Sequence, residues 1–227
     1  MIVLVHGAWT DSSSWTTVIE SLQVDGYTVA APPFPGTSLA DDVARLRQIL
    51  RRQRGPVVVA GHCYGGQIIT ALGNDASQVT ALVYVAAFGL DEGESLGTVL
   101  ANAAPTAALA HLIVDEHDVA WMPEADFVRY FATDIDPARA KIMHAVQPGL
   151  SMRTLDDVMG APAWRSHPTW YLVATNDDAI PPDLERMFAR RMGADTVEVA
   201  SSHLVIVSHP HEVVELIKAA AASRRSA

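Results

Sequence analysis

Six short runs of apolar, often β-branched residues recur along the chain, each continuous rather than alternating with polar residues. This pattern is typical of strands buried on both faces of a parallel sheet. The segment 38–54 between two runs has helical spacing and a potential N-cap at Ser38 or Thr37. The sequence therefore predicts an α/β fold with a mostly parallel central sheet of about six strands flanked by helices. The predicted strands are residues 2–5, 27–31, 56–60, 79–85, 170–174 and 196–199.

The interval from about residue 91 to 164 lacks a clear strand pattern but contains helical patches at 125–132 and 138–146. We interpret it as a helical lid inserted between two core strands. A chain of 227 residues with 49% hydrophobic residues can bury one large core, so we expect a single domain over 1–227. A helix is predicted at 212–222, with residues 223–227 frayed.

Composition excludes several functional classes. The chain has 26 acidic and 16 basic residues, a formal charge of −10 and no long block of either sign, which argues against nucleic acid as a partner. No stretch approaches the roughly 20 apolar residues that span a bilayer, so no membrane partner is expected. The first residues lack the basic start and long apolar run of a secretory signal, so we expect a cytoplasmic protein. A single cysteine excludes an intrachain disulfide.

That cysteine lies in the motif Gly61-His62-Cys63-Tyr64-Gly65-Gly66, between the predicted strand 56–60 and the apolar helical run 67–72. This is the strand–turn–helix context of a G-x-nucleophile-x-G elbow. The turn is so sharp that side chains at Gly61 and Gly65 would collide with neighbouring backbone. The start of the following helix favours the reactive thiolate of Cys63. The alternative is that Cys63 is a buried small hydrophobe.

A nucleophile of this kind needs a base and an acid that orients the base, which follow in the chain order acid, then histidine. Asp177 lies on the loop after the predicted strand 170–174, and His203 follows the last predicted strand. Both would reach the carboxyl edge of the sheet, where Cys63 lies. Asp178 is the alternative acid, with a surface charge as its simpler explanation.

An oxyanion hole in this arrangement takes one backbone N–H from the residue after the nucleophile and one from the loop after the first strand. These residues are Tyr64 and Ala8. Gly7 precedes Ala8 directly after the opening strand and allows the tight turn. No histidine pair has convincing metal spacing, and His209 with His211 alone would be a poor site, so no metal is expected.

Five segments of the sequence resemble a known family. Together its motifs are similar to small bacterial α/β-hydrolases related to plant methylesterases and hydroxynitrile lyases. The resemblance implies the α/β-hydrolase fold with a helical cap, no cofactor or metal, a triad of Cys63, Asp177 and His203, and an oxyanion hole at Ala8 and Tyr64. The motifs that carry it are VLVHGAW at 3–9, GHCYGG at 61–66, LVYVAAF at 82–88, WYLVAT at 170–175 followed by Asp177, and Ser202-His203.

The chain departs from the family at the nucleophile, where the family pattern has serine and this chain has Cys63. Sulfur is larger than oxygen and its bond to carbon is longer, so the tetrahedral intermediate shifts within the oxyanion hole. Three interpretations stay open. The chain is a natural cysteine hydrolase of activated esters, thioesters or lactones, an acyltransferase or cyclase, or an engineered serine-to-cysteine variant of a serine esterase.

Acyl transfer through an S-acyl intermediate on Cys63, with His203 as base, is the function we expect. The alternatives are a lyase or cyclase acting by acid–base chemistry without a covalent intermediate, and a ligand-binding protein that has lost turnover. The oligomeric state is open, with a homodimer as one option. Four further residues suggest a pocket for a small hydrophobic or aromatic acyl substrate, namely Trp9, Trp121, Met122 and Trp164.

Overall fold

The computed structural model describes residues 1–74 and 76–223. The predicted frayed end at 223–227 therefore lies, apart from Ser223, outside the described residues. The predicted helix before it extends two residues further toward the N-terminus than expected, over Pro210–Ala222.

The central element is a sheet of six strands in the order β2-β1-β3-β4-β8-β9, and every neighbouring pair in it is parallel. A second sheet has three short antiparallel strands in the order β5-β6-β7. The strands are β1 Ile2–Val5, β2 Val29–Ala30, β3 Val57–Cys63, β4 Val79–Ala87, β5 Ile113–Val114, β6 Val119–Trp121, β7 Leu150–Ser151, β8 Thr169–Ala174 and β9 Asp195–Val199. The predicted six-strand parallel sheet is confirmed.

Helices connect the strands and cover the sheet. Ser38 caps α2, accepting a hydrogen bond from the backbone N–H of Asp41 at 3.1 Å, which resolves the choice between Ser38 and Thr37. The helices are α1 Thr16–Val24, α2 Leu39–Arg51, α3 Tyr64–Thr70, α4 Leu96–Asn102, α5 Glu124–Asp126, α6 Pro137–Ala145, α7 Arg153–Asp156, α8 Pro182–Met192, α9 Val205–Ser208 and α10 Pro210–Ala222, with 3₁₀ turns at Ser12–Trp15 and Ala163–Arg165 and a π-helix at Phe127–Phe131.

Two predicted strands differ from the structure in more than the position of an end by a few residues, and β3 and β4 run on past their predicted ends to Cys63 and Ala87. The second strand is shorter than the predicted 27–31, because only Val29 and Ala30 pair with β1. The last strand is not buried on both faces as expected, since four of its five residues are exposed. It lies at the edge of the sheet and pairs only with β8. An edge position provides less burial than the apolar run predicts.

We refer to residues 91–164, between β4 and β8, as the insertion. It contains β5, β6 and β7, so the expectation that it has no strand is wrong. These strands are two or three residues long, too short to produce a period-2 pattern. The predicted patch 125–132 is divided between α5 and the π-helix, and the patch 138–146 corresponds to α6.

The parallel sheet determines where the candidate site residues lie. β3 ends at Cys63, β8 ends at Ala174 just before Asp177, and β9 ends shortly before His203. Parallel strands have their carboxyl ends at the same edge of the sheet. The fold therefore brings the three loops together at one edge, where the insertion also lies.

Candidate active site

Cys63 lies at the turn between β3 and α3 with a strained backbone. Its φ is 54° and its ψ is −122°, a conformation that a residue with a side chain adopts only when its surroundings enforce it. The surroundings leave no room for side chains beside it. A Cβ on Gly65 would lie 2.5 Å from the carbonyl oxygen of Val5, and one on Gly61 would lie 2.6 Å from that of Gly65. The two glycines thus permit the turn that presents the Cys63 side chain.

His203 and Asp177 form a fully buried pair. Nδ1 of His203 lies 2.5 Å from Oδ2 of Asp177, and neither side chain is exposed to solvent. The other carboxylate oxygen accepts the backbone N–H groups of Ala179 at 2.6 Å and Ile180 at 2.8 Å. These contacts fix the carboxylate, so it can hold the imidazole in one orientation with Nε2 free for chemistry.

Cys63 also affects the pKa of the same imidazole. Burial alone lowers the pKa of His203, but the Asp177 carboxylate and the Cys63 sulfur outweigh burial and raise it to about 10. Nε2 of His203 has no hydrogen-bond partner in the described part of the chain. The arrangement favours the protonated imidazolium of His203 next to Asp177 and Cys63.

Asp178, the alternative acid, has an exposed side chain. Its backbone carbonyl accepts the N–H of Ala108 at 3.1 Å, which links its loop to the insertion. The geometry therefore places Asp177, and not Asp178, against the imidazole of His203.

A second buried carboxyl lies behind Asp177. Glu185 on α8 is fully buried, and its Oε2 accepts the backbone N–H of Ala174 at 3.0 Å. Burial, followed by the charge of Asp177, raises the pKa of Glu185 well above its usual value. A protonated Glu185 avoids placing a second negative charge beside Asp177. No sequence signal indicates this role, because an acidic residue in the first turn of a helix is typical of a surface charge.

The loop after β1 approaches Cys63 closely. A Cβ on Gly7 would lie 2.5 Å from the Cβ of Cys63, so only glycine allows the approach. Ala8 and Tyr64 both line the cavity next to Cys63. Tyr64 is the first residue of α3, where a backbone N–H has no acceptor within the helix. The positions fit an oxyanion hole made of the two N–H groups.

Two buried side chains that the sequence did not single out hold these positions. His6 contacts the Gly7 carbonyl through Nδ1 at 2.9 Å and accepts the N–H of Phe34 at Nε2, also at 2.9 Å. The Asp42 carboxylate accepts a hydrogen bond from the Tyr64 hydroxyl at 2.9 Å. The position of His6 in the HG motif is a sequence signal for such a role, whereas Asp42 lies in an ordinary amphipathic helix and has none.

A cavity of about 320 Å³ opens beside Cys63, within the usual size range for small-molecule sites. Its lining contains no charged residue. Core loops and the insertion both contribute to it. The lining residues are Ala8, Trp9, Cys63, Tyr64, Phe88, Leu96, Leu100, Ala104, Pro105, Thr106, Leu109, Ala110, Leu112, Ala120, Leu150, Met152, Leu155, Ala179 and Ile180.

The structure places Trp9 in the cavity lining, with its indole N–H donating to the Ala120 carbonyl at 2.9 Å. It places the other three expected pocket residues elsewhere. Met122 is buried in the core of the insertion, and Trp121 is partly exposed with its indole N–H bonded to Asp115. Trp164 donates to the Leu90 carbonyl at 2.9 Å. Size and apolarity suggested these residues, but neither property determines which way a side chain points.

A nucleophile at a strand–helix elbow, with an acid and a histidine on later loops of a parallel sheet, is the arrangement of an α/β hydrolase. Residues 2–216 match the profile of the Alpha/beta hydrolase family, and the chain belongs to that family. Within residues 1–74 and 76–223 there is no group of three or more His, Cys, Asp or Glu side chains arranged to hold a metal ion. No helix among those residues is long and apolar enough to cross a bilayer.

Individual proteins resemble the chain to different extents. A carbendazim hydrolyzing esterase of Nocardioides sp. (strain SG-4G) is 30% identical over 131 residues, covering 52% of this chain and 54% of that protein. The chain thus spans about half the length of this relative. A crystal structure of a pyrethroid hydrolase from Sphingobium faniae JZ-2 superposes with a TM-score of 0.85 at 22% identity, covering 100% of this chain and 98% of the other.

A methylesterase from Arabidopsis, MES16, superposes with a TM-score of 0.80 at 16% identity, covering 98% of each chain. At these identities the two crystal structures establish the fold. The expected relation to plant methylesterases is therefore seen at the level of the fold. The expected relation to hydroxynitrile lyases, like the role of Cys63 as the nucleophile, stays a prediction.

Proposed function

We propose that this protein hydrolyses carboxylic esters, thioesters or lactones of small apolar acids through an S-acyl intermediate on Cys63. The observation that carries the proposal is the buried His203–Asp177 pair, which leaves Nε2 of His203 without a hydrogen-bond partner and lies close enough to Cys63 for that side chain to raise the pKa of His203. This is the geometry that nucleophilic catalysis requires. The carbendazim hydrolyzing esterase and pyrethroid hydrolase names of the similar proteins support hydrolysis as the reaction class.

In the first half-reaction the Cys63 sulfur attacks the carbonyl carbon, and a C–S bond forms. Negative charge moves to the carbonyl oxygen, where the N–H groups of Ala8 and Tyr64 would stabilise it. The C–O bond to the leaving group then breaks, and the leaving oxygen takes the proton of the His203 imidazolium. The products are an alcohol and a thioester on Cys63.

In the second half-reaction His203 removes a proton from water, which attacks the thioester carbonyl. The C–S bond breaks, the carboxylic acid leaves, and the proton on His203 restores the starting pair. Asp177 keeps the ring aligned and balances the positive charge during both halves. Glu185, neutral behind Asp177, leaves that balance undisturbed.

The cavity lining supports the proposed substrate class. Its lining is apolar, with no charged side chain to compensate a charge on the acyl group. Desolvating an unpaired carboxylate would cost several kcal/mol, so neutral acyl groups are favoured over charged ones of equal length. The volume of about 320 Å³ suits short aliphatic chains or a single aromatic ring.

A panel of p-nitrophenyl esters tests the proposal. We expect turnover of the acetate, butyrate, hexanoate and benzoate, and a kcat/KM for the hemisuccinate at least about tenfold below that of the butyrate. Cys63→Ala should lose turnover of every ester while retaining the melting temperature of the parent. Full turnover by Cys63→Ala would refute the nucleophile, and equal use of hemisuccinate and butyrate would refute the substrate class.

A further inference from the structure

The insertion contacts the loop that carries His203. Asp134, which follows the π-helix Phe127–Phe131, accepts the backbone N–H of Ser202 at 2.9 Å with one carboxylate oxygen. Its other oxygen accepts the Ser202 hydroxyl in a short hydrogen bond. Both donors belong to the residue directly before His203. The Asp134 side chain is only 27% exposed, so the bonds are partly shielded from water.

The same segment touches the imidazole itself. The ring of Phe131 is fully buried, and its centroid lies 4.6 Å from that of the His203 ring. The Phe131 ring also lies 6.1 Å, edge to face, from that of Trp9 on the oxyanion loop. One short stretch of the insertion therefore contacts both the catalytic base and the residue after Ala8.

Core contacts hold the histidine loop from the other side. The backbone N–H of Asn176 donates to the Ser201 carbonyl at 3.1 Å, and Nε2 of His62 lies 2.9 Å from the His203 carbonyl oxygen. These contacts bind carbonyl groups and leave the N–H and hydroxyl of Ser202 to the insertion. In the described residues, Asp134 is the acceptor for both.

We propose that Asp134 is a positioning residue for the base, and that its carboxylate, together with the ring of Phe131, aligns His203 with Cys63. Asp134 does not touch substrate. It acts through Ser202, one peptide bond from the base. The inference rests on the proposed function, because it takes His203 as the base of that reaction.

The π-helix supports a specific role for this segment. A π-turn carries one residue more than an α-turn, and such turns occur frequently at functional sites. Here it spans Phe127–Phe131, and the backbone N–H of Ala132 closes it by donating to the Phe127 carbonyl at 2.9 Å. It ends with Phe131 against the imidazole and Asp134 three residues later against Ser202. A carboxylate that served only as a surface charge would not need the contact with Ser202, nor a neighbouring ring against the imidazole.

Three variants test the assignment on p-nitrophenyl butyrate. In Asp134→Ala both bonds to Ser202 are lost, and kcat should fall by about tenfold or more while KM changes by less than about threefold. Asp134→Asn keeps one acceptor oxygen and should recover part of kcat. Ser202→Ala loses only the hydroxyl bond and should show a smaller loss, absent when it is combined with Asp134→Ala.

A second readout does not depend on esters. Alkylation of Cys63 by iodoacetamide reports how well His203 supports the sulfur anion. The rate for Asp134→Ala should lie between those of the parent and His203→Ala. Glu116→Gln is the matched control, since it also removes one negative charge from the insertion but from a side chain that is 88% exposed and pairs with its neighbour His117. It should behave like the parent in both assays.

The results that would overturn this inference differ from the results that would overturn the proposed function. Parent-like kcat and alkylation in both Asp134→Ala and Ser202→Ala, with both lost in His203→Ala, would overturn the positioning role alone. Parent-like alkylation and turnover in His203→Ala would overturn the proposed function. If Asp134→Ala does not fold, Ser202→Ala decides, because it leaves the backbone bond in place. A loss of kcat in Ser202→Ala with an unchanged melting temperature supports the positioning role of Asp134. A parent-like kcat in Ser202→Ala overturns that role.

Discussion

Nδ1 of His203 lies 2.5 Å from Oδ2 of Asp177, with both side chains completely removed from solvent. Two backbone N–H groups hold the other oxygen of the carboxylate. The carboxylate is therefore not free to follow the ring, and the ring must take the orientation that the carboxylate sets. This contact, together with the Cys63 sulfur, is the reason that the pKa of His203 is raised to about 10 despite burial.

Replacing the carboxylate should change the pH dependence of catalysis. The imidazolium of His203 protonates the leaving alcohol, so kcat/KM for an alkyl ester should fall on the alkaline side as the imidazolium of the free enzyme loses its proton near pH 10. In Asp177→Asn the charge that raises this pKa is absent, so the alkaline limb should move to lower pH. We also expect kcat to fall by on the order of 10³-fold or more.

The pH dependence of kcat/KM of both proteins on ethyl butyrate, whose alkoxide leaving group needs a proton, checks this expectation. Asp178→Asn is the matched control, since its side chain is exposed and its profile should follow that of the parent. An alkaline limb that stays in place in Asp177→Asn would contradict the role assigned to the carboxylate.

A methyl group at Gly7 should damage the site through sterics alone. In Gly7→Ala the new Cβ would lie 2.5 Å from that of Cys63, so the oxyanion loop or the elbow must shift. We expect kcat to fall by about 100-fold or more and the free energy of unfolding to fall by about 1–3 kcal/mol.

Gly160→Ala provides the comparison, because a Cβ there meets no atom within 4 Å. Gly7→Ala should have the lower kcat in kinetic assays and the lower free energy of unfolding in urea. Equal kcat in the two variants would show that the approach of Gly7 to Cys63 does not matter for catalysis.

The buried carboxyl of Asp42 should make stability depend on pH. Burial outweighs the hydrogen bond from Tyr64 and raises the pKa of Asp42 from 3.8 to about 6. The folded protein thus keeps a proton that the unfolded chain releases above pH 3.8, and this contribution to stability is lost as pH rises through about 6. Asp42→Asn has no such proton.

Urea unfolding between pH 4 and pH 7 measures the effect. Relative to Asp42→Asn, the parent should lose up to about 3 kcal/mol of unfolding free energy as pH rises across this window. Parallel stability curves for the two proteins would show that Asp42 titrates normally in the folded state.

The cavity lining predicts acyl-chain selectivity. Leu100 and Ala104 both line the cavity from the insertion. Leu100→Ala enlarges the space and should shift the kcat/KM optimum toward longer p-nitrophenyl esters, whereas Ala104→Phe fills it and should favour the acetate. Shifts in the same direction for both variants, or none, would place the acyl group elsewhere.

Much of the fold was predictable because its signals are local. Continuous apolar runs marked the parallel strands, and the elbow glycines marked the turn at Cys63, since sterics permit few other residues there. Chain order then placed Asp177 and His203 at the same sheet edge. The roles assigned to these residues follow from the motif, and the geometry agrees with those positions.

The rest depended on contacts between distant parts of the chain. The link from Asp134 to Ser202 joins residues 68 positions apart, and no periodicity encodes it. Glu185 and Asp42 look like ordinary helix-surface acids until the tertiary structure buries them. Trp121 and Trp164 fit the composition of a pocket, but their indole N–H groups found partners elsewhere.

The most direct test of covalent catalysis is the intact mass of the protein, quenched in acid within the first turnovers on p-nitrophenyl butyrate and followed by peptide mapping. We expect a mass increase of one butyryl group on the peptide that contains Cys63, formed and lost at rates consistent with kcat, and absent from Cys63→Ala. Turnover with no adduct on Cys63, or an adduct that persists unchanged in Cys63→Ala, would contradict the S-acyl mechanism.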